Sequence, residues 1–136
     1  MDGVGNSIPD WTPSLSMSNP EIDQQHQQLI AMARAAIVSF EQGTDSAEKF
    51  HTLLNDLAVF AAMHFDTEER LLIKNGCPTL DSHRAEHERY REQLIEIMLK
   101  AMAKDLDKAS LTHVLVDWIT HNLLETDVAS RDYMAP

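Results

Sequence analysis

His64-Phe65-Asp66-Thr67-Glu68-Glu69, read together with His83-Arg84-Ala85-Glu86-His87 further along, decides how this chain reads. Each stretch sets two metal-ligating residue types four positions apart, and on an α-helix positions i and i+4 share a face. His64 and Glu68 therefore point one way from one helix, and His83 and His87 one way from the next. Packed antiparallel, two such helices aim three imidazoles and a carboxylate into one space. Nitrogen and oxygen donors of this kind suit iron, zinc, copper or manganese better than calcium or magnesium. The pair is not the HExxH of a zinc protease, because Arg84 stands where the glutamate would be.

Outward from these stretches the chain reads as four helices. Asn19-Pro20-Glu21 supplies a capping side chain, a proline at the first helical position and an early acid. The first helix is expected to run to Gln42 and stop at Gly43, with Ile22, His26, Leu29, Ala33, Ala36 or Ile37, and Phe40 on its buried stripe. Thr44 or Asp45 can cap a second helix ending near Asn75-Gly76. Its stripe is Phe50, Leu53, Leu57, Phe60, Ala61, His64, Glu68 and Leu72. A buried carboxylate needs a partner, so Glu68 on an apolar face is not ordinary core. Gly76-Cys77-Pro78 makes a tight connection into a third helix, Leu80 to Lys104, carrying His83, His87, Tyr90 and Leu94 inward. A link from Asp105 to Ser110 precedes a fourth, Leu111 to Arg131, with Leu111, Leu115, Trp118, Asn122 and Thr126 on one stripe. The expected fold is all-α: an antiparallel up-down-up-down four-helix bundle over 20–136, with 1–19 as an N-terminal arm anchored by Ile8, Trp11, Leu15 and Met17.

Composition agrees and narrows the function. Only four Gly and five Pro occur in 136 residues, which favours helices. A formal net charge of −11 repels phosphate and argues against nucleic acid as a partner. The longest apolar run, Leu57 to Met63, is seven residues, against roughly 20 for a membrane-spanning helix, so membrane insertion is not expected. One cysteine, Cys77, fits a reducing cytoplasm; beside Pro78 it reads as an incidental thiol. His51 and His113 have no ligand partner on their stripes. Met32, Met63, Met98 and Met102 read as adaptable core packing, and Glu69 and Glu86 as solvated helix-face charges.

A single inward histidine is ordinary; what is unusual is ligand types facing inward from all four helices. In Trp11, Ile22-Asp23-Gln24-Gln25-His26, His64-Phe65-x-x-Glu68-Glu69, His83-x-x-x-His87, Trp118 and Thr126-Asp127, the chain resembles the hemerythrin family in its bacterial form. The resemblance covers nearly the whole length. It implies a non-haem diiron site: His26 and His64 on one iron, His83 and His87 on the other. Glu68 and Asp127 would bridge both, alongside an oxo or hydroxo group. O₂ and small anions such as azide would bind at the His26/His64 iron.

One position departs from that pattern. The family places a third histidine four residues after the tryptophan and five before the aspartate, and this sequence has Asn122 there. His121 is adjacent, about 100° around an α-helix. Either the helix shifts to present His121, or the second iron lacks one protein nitrogen and solvent fills its place. The spacings from Trp118 and Asp127 favour the second, with Asn122 facing the metal. Such a site suits an oxygen- or redox-sensing module of a larger signalling protein, with a possible C-terminal output domain, rather than an enzyme. The alternatives are a free-standing oxygen carrier or store, a diiron enzyme reducing peroxide or nitric oxide, and a metal-free helical interaction module.

Overall fold

The computed structural model describes residues 8–43 and 47–136. Helix α1 spans Pro20–Glu41, α2 Ala47–Lys74, α3 Leu80–Met102 and α4 Lys108–Asp117. The last continues directly into a π-helical stretch, Trp118–Asp127. The four form the expected antiparallel bundle, α1 packing on α2, α2 on α3, and α4 closing the core against α1 and α3. No strand occurs among the described residues, and no described helix is long and apolar enough to cross a membrane.

Helix ends follow from local chemistry. Asn19 Oδ1 accepts from the amides of Glu21 (3.0 Å) and Ile22 (3.3 Å), with Pro20 next in line. Helix α2 ends in a Schellman motif: Cys77 N–H donates to Leu72 O and Gly76 N–H to Ile73 O. Gly76 takes φ 68°, as that motif requires. The capping roles expected of Thr44 or Asp45 lie outside the described residues, as do the first seven residues of the arm.

The boundaries on either side of the third loop differ most from expectation. Helix α3 ends at Met102 rather than Lys104, which turns to φ 59°. Helix α4 begins at Lys108 rather than Leu111, because Asp107 Oδ1 accepts the Ser110 amide at 2.6 Å and caps it earlier. From Ile8 onward the arm lies against the bundle, Leu15 only partly buried. Ile8 and Met17 are fully buried, and Trp11 packs on the main core. Ser16 Oγ and the Met17 amide both donate to Asp23 of α1, at 2.6 and 2.7 Å. Asn19 Nδ2 donates to Met134 O at 2.8 Å, joining the arm to the end of the chain.

The π-helical stretch decides what the fourth helix turns inward. An α-helical stripe through Leu111, Leu115, Trp118 and Asn122 reaches Thr126 next. Asp127, five residues past Asn122, would stand about 140° away on an α-helix. Hydrogen bonds to the fifth residue widen each turn, so residues five apart return close to one face. Asn122 and Asp127 are accordingly both fully buried, and Thr126 is only half-buried.

Candidate metal centre

His26 from α1, His64 and Glu68 from α2, His83 and His87 from α3, and Asp127 from the π-helical stretch meet inside the bundle. None is more than 2% exposed. His26 Nε2 lies 3.0 Å from Asp127 Oδ2 and 3.2 Å from Glu68 Oε2. His64 Nε2 lies 3.1 Å from the same Glu68 oxygen. On the other side, His87 Nε2 is 3.2 Å from Glu68 Oε1, and His83 Nε2 is 3.7 Å from Asp127 Oδ1. Each carboxylate thus turns one oxygen toward the His26 side and the other toward an α3 histidine. On the first side, donor atoms of His26, His64, Glu68 and Asp127 all lie within 4.8 Å of one another.

The outer faces of three rings are tied down. Gln25 Oε1 is 2.8 Å from His64 Nδ1, Glu69 Oε2 is 2.8 Å from His87 Nδ1, and Thr79 O is 3.4 Å from His83 Nδ1. An acceptor at Nδ1 holds the proton there and leaves the Nε2 lone pair facing inward, the arrangement that makes imidazole a metal ligand. Phe65 stacks on His87 with ring centres 4.2 Å apart, and Trp118 meets Phe65 edge-on at 5.8 Å. These buried rings form an apolar wall beside the cluster.

Charge is balanced tightly. Burial lowers the pKa of His26, but hydrogen bonds to Asp127 and Glu68 overcome it and raise it to about 10. Burial likewise works against protonation of His83 and His87, and their carboxylate neighbours win, raising both. Burial pushes Asp127 up, and the charge of Glu68 beside it adds to that. Glu68 is held well below the usual carboxylate range: burial opposes this, but His64 and the other partners outweigh it.

Asn122 Oδ1 is buried with no hydrogen-bond partner. His64 Nε2, Glu68 Oε1, His83 Nε2, His87 Nε2 and Asp127 Oδ1 meet only opposing groups of the cluster, at 3.1, 3.2 and 3.7 Å, without forming proper hydrogen bonds. Leaving a buried polar atom unpaired costs about 1–3 kcal/mol. Cations placed among these atoms would satisfy all of them at once. Imidazole and carboxylate together are a donor set that iron accepts, so the residues fit the metal.

The structure separates the two residues considered for the fourth-helix position. Asn122 is fully buried. His121 points outward, its side chain 48% exposed, with Nδ1 3.0 Å from Glu125 and Nε2 3.6 Å from Glu86. The reading of Glu69 and Glu86 as solvated charges is corrected: their side chains are only 19% and 14% exposed. Glu69 holds His87, and Glu86 accepts from Asn122 Nδ2 and Thr126 Oγ1, each at 3.3 Å. Gln25 was also missed, although it directly precedes His26.

Comparison with known proteins gives the family. The family described as Hemerythrin HHE cation binding domain matches residues 18–128. Bacteriohemerythrin of Clostridium acetobutylicum is 26% identical over 128 residues, covering 91% of this chain and 97% of that protein. Bacteriohemerythrin of Stenotrophomonas maltophilia is 25% identical over 122 residues, 90% of this chain and 78% of its own length. A crystal structure of a hemerythrin mutant shares the fold at TM-score 0.83 and 20% identity, over 96% of this chain and 99% of that one. With most of its length matched by the family, this chain belongs to the hemerythrin HHE cation-binding domains.

Proposed function

We propose that this chain holds two iron ions and binds O₂ and small anions such as azide at them. His26 and His64 serve one iron, His83 and His87 the other, and Glu68 and Asp127 bridge the two. The observation that carries this reading is the split of each carboxylate. Glu68 directs Oε2 to His26 and His64 but Oε1 to His87. Asp127 directs Oδ2 to His26 and Oδ1 to His83. One metal would leave half of each carboxylate unused. Two irons so held supply together the two electrons on which reversible O₂ binding draws.

The protein's own part is to fix the rings and keep the site dry. Gln25, Thr79 and Glu69 orient three imidazoles; Phe65 and Trp118 set an apolar wall beside the cluster. Ligand binding rather than turnover is the reading favoured by so closed a cluster. Within it, oxygen or redox sensing is supported by Asn122, since an amide in place of imidazole removes a nitrogen donor and favours the ferric state.

The test is spectroscopic. Iron-loaded protein, reduced without air and then exposed to O₂ or azide, should develop new charge-transfer absorption in the near-ultraviolet and visible. Protein that carries two irons per chain and shows no change with either ligand would overturn the proposal.

A further inference from the structure

We infer that Asn122 donates its side-chain oxygen to the metal position of His83 and His87, with the Glu86 carboxylate gripping the opposite end of the amide. The inference rests on the diiron reading above and replaces solvent with a protein oxygen at the place where the family has a histidine.

The orientation of the amide follows from its neighbour. Glu86 Oε1 lies 3.3 Å from Asn122 Nδ2, and an ionised carboxylate can only accept, so the NH₂ end must face it. The carbonyl end then turns the other way. It is buried, with no hydrogen-bond partner among the described residues. His83 Nε2, His87 Nε2 and Asp127 Oδ1 are buried too and form no proper hydrogen bond, meeting only the cluster's own groups: His83 and Asp127 each other at 3.7 Å, and His87 the Glu68 carboxylate at 3.2 Å. The π-helical turn sets Asn122 on the same face as Asp127, whose Oδ1 already approaches His83. Four metal-ligating atoms, from α3 and the fourth helix, thus belong to one side of the cluster, with the Asn122 oxygen still to be satisfied.

Glu86 is built for the task. It sits on α3 between His83 and His87, and Thr126 Oγ1 donates to both of its oxygens at 3.3 Å. A hydrogen bond from the amide N–H to a charged acceptor draws electron density toward the carbonyl oxygen and makes it a better donor. The carboxylate thereby does for the amide what an outer carboxylate does for a ligating histidine. An oxygen donor also shifts the preference of this position toward harder ions, ferric iron among them.

The experiment measures iron per chain and competition against a chelator for the wild type, Asn122→Ala, Glu86→Gln and the double variant Asn122→Asp/Glu86→Gln. Circular dichroism confirms that each is folded. Asn122→Ala should weaken one of the two irons about 10- to 100-fold and leave the other in place; Glu86→Gln, which keeps a neutral acceptor for the amide, should weaken the same iron by less. The double variant exchanges carboxylate and amide while keeping an N–H···O contact beside an oxygen donor, so it should recover the lost iron. A crystal structure of the iron-loaded wild type should show Asn122 Oδ1 bonded to metal. Two irons held at wild-type strength in Asn122→Ala would overturn the inference alone. So would a water, or Glu86 itself, bonded in place of Asn122. A wild type unable to hold two irons would overturn the diiron reading and this inference with it.

Discussion

Glu69 Oε2 stands 2.8 Å from Nδ1 of His87, on the side of the ring that faces away from the carboxylate cluster. Arg84 and Arg91 flank the same glutamate at 3.6 and 4.0 Å, so its charge is steadied from outside. The contact fixes the His87 tautomer and turns Nε2 toward Glu68. Glu69→Ala should lower iron affinity about 10- to 100-fold, whereas Glu69→Gln, which keeps an acceptor, should lose less. Chelator competition reads both. Equal affinities for Glu69→Ala and the wild type would mean that the ring needs no such support.

Bridging makes a sharper demand on Glu68, which offers one oxygen to each side of the cluster. Glu68→Ala should release iron from both positions, with content falling well below one iron per chain after dialysis. Full retention of two irons would remove Glu68 from the bridge.

Removing metal leaves His26 between two carboxylates, and its pKa is then raised to about 10, against an ordinary value of 6.5. A raised folded-state pKa stabilises the fold fully below 6.5, and that stabilisation is lost as pH climbs through about 10. The groups facing His26 are Glu68 and His64 of α2 and Asp127 of the π-helical stretch. Metal-depleted protein should therefore lose stability to urea steadily from pH 6.5 to 10, and His26→Gln should flatten that slope. Since a ligating nitrogen must first shed its proton, iron affinity should rise with pH over the same range. A metal-depleted protein equally stable at pH 6.5 and 10 would contradict the buried proton.

The α1 and α3 stripes were legible because side chains that share a face recur at one period, whereas in α2 Leu54 is buried where Leu53 was expected. Ile22, His26, Leu29 and Ala33 in α1, and His83, His87, Tyr90 and Leu94 in α3, are all buried as the spacing requires. The period fails where the backbone abandons it. Nothing in the residues around Asp127 announces a π-helical turn, so α-periodicity carried the fourth stripe to Thr126. Asp127 stood off that stripe, noted only as a ligand type late in the fourth helix, and its bridging role came from the family resemblance. Outer partners were hidden for another reason. Glu69 and Glu86 look like any solvated acid, because the histidine or amide that draws them in is brought close only by packing of the helices. Phe65 lay outside the stripe read for α2, yet it stacks on His87.

Asn19 joins three parts of the chain, which gives its loss a measurable cost. It caps α1 through Oδ1 and donates Nδ2 to Met134 O in a buried contact. Asn19→Ala gives up a helix cap, typically about 1 kcal/mol, and orphans a buried carbonyl at about 1–3 kcal/mol. A total near 2–4 kcal/mol is expected from urea unfolding. Asn19→Ser keeps a capping oxygen but not the Met134 contact, and should recover about 1 kcal/mol. Equal stability of all three proteins would show that the arm is not tied to the bundle through this residue.

His121 provides the complementary control, because it neighbours Asn122 in sequence yet faces the other way. Its ring is half exposed and paired with Glu125 one turn along, and more loosely with Glu86. Exposed pairs of this kind contribute about 0–1 kcal/mol. His121→Ala should therefore leave iron content at two per chain and the response to O₂ and azide unchanged, with stability within about 1 kcal/mol of the wild type. The substitution removes the imidazole adjacent in sequence to the position where the family has a histidine. Loss of an iron on His121→Ala, with Asn122→Ala silent, would mean that the fourth helix rotates in the metal-loaded protein to present residue 121. Loss with Asn122→Ala and none with His121→Ala would identify the buried amide as the side chain that the second metal position uses.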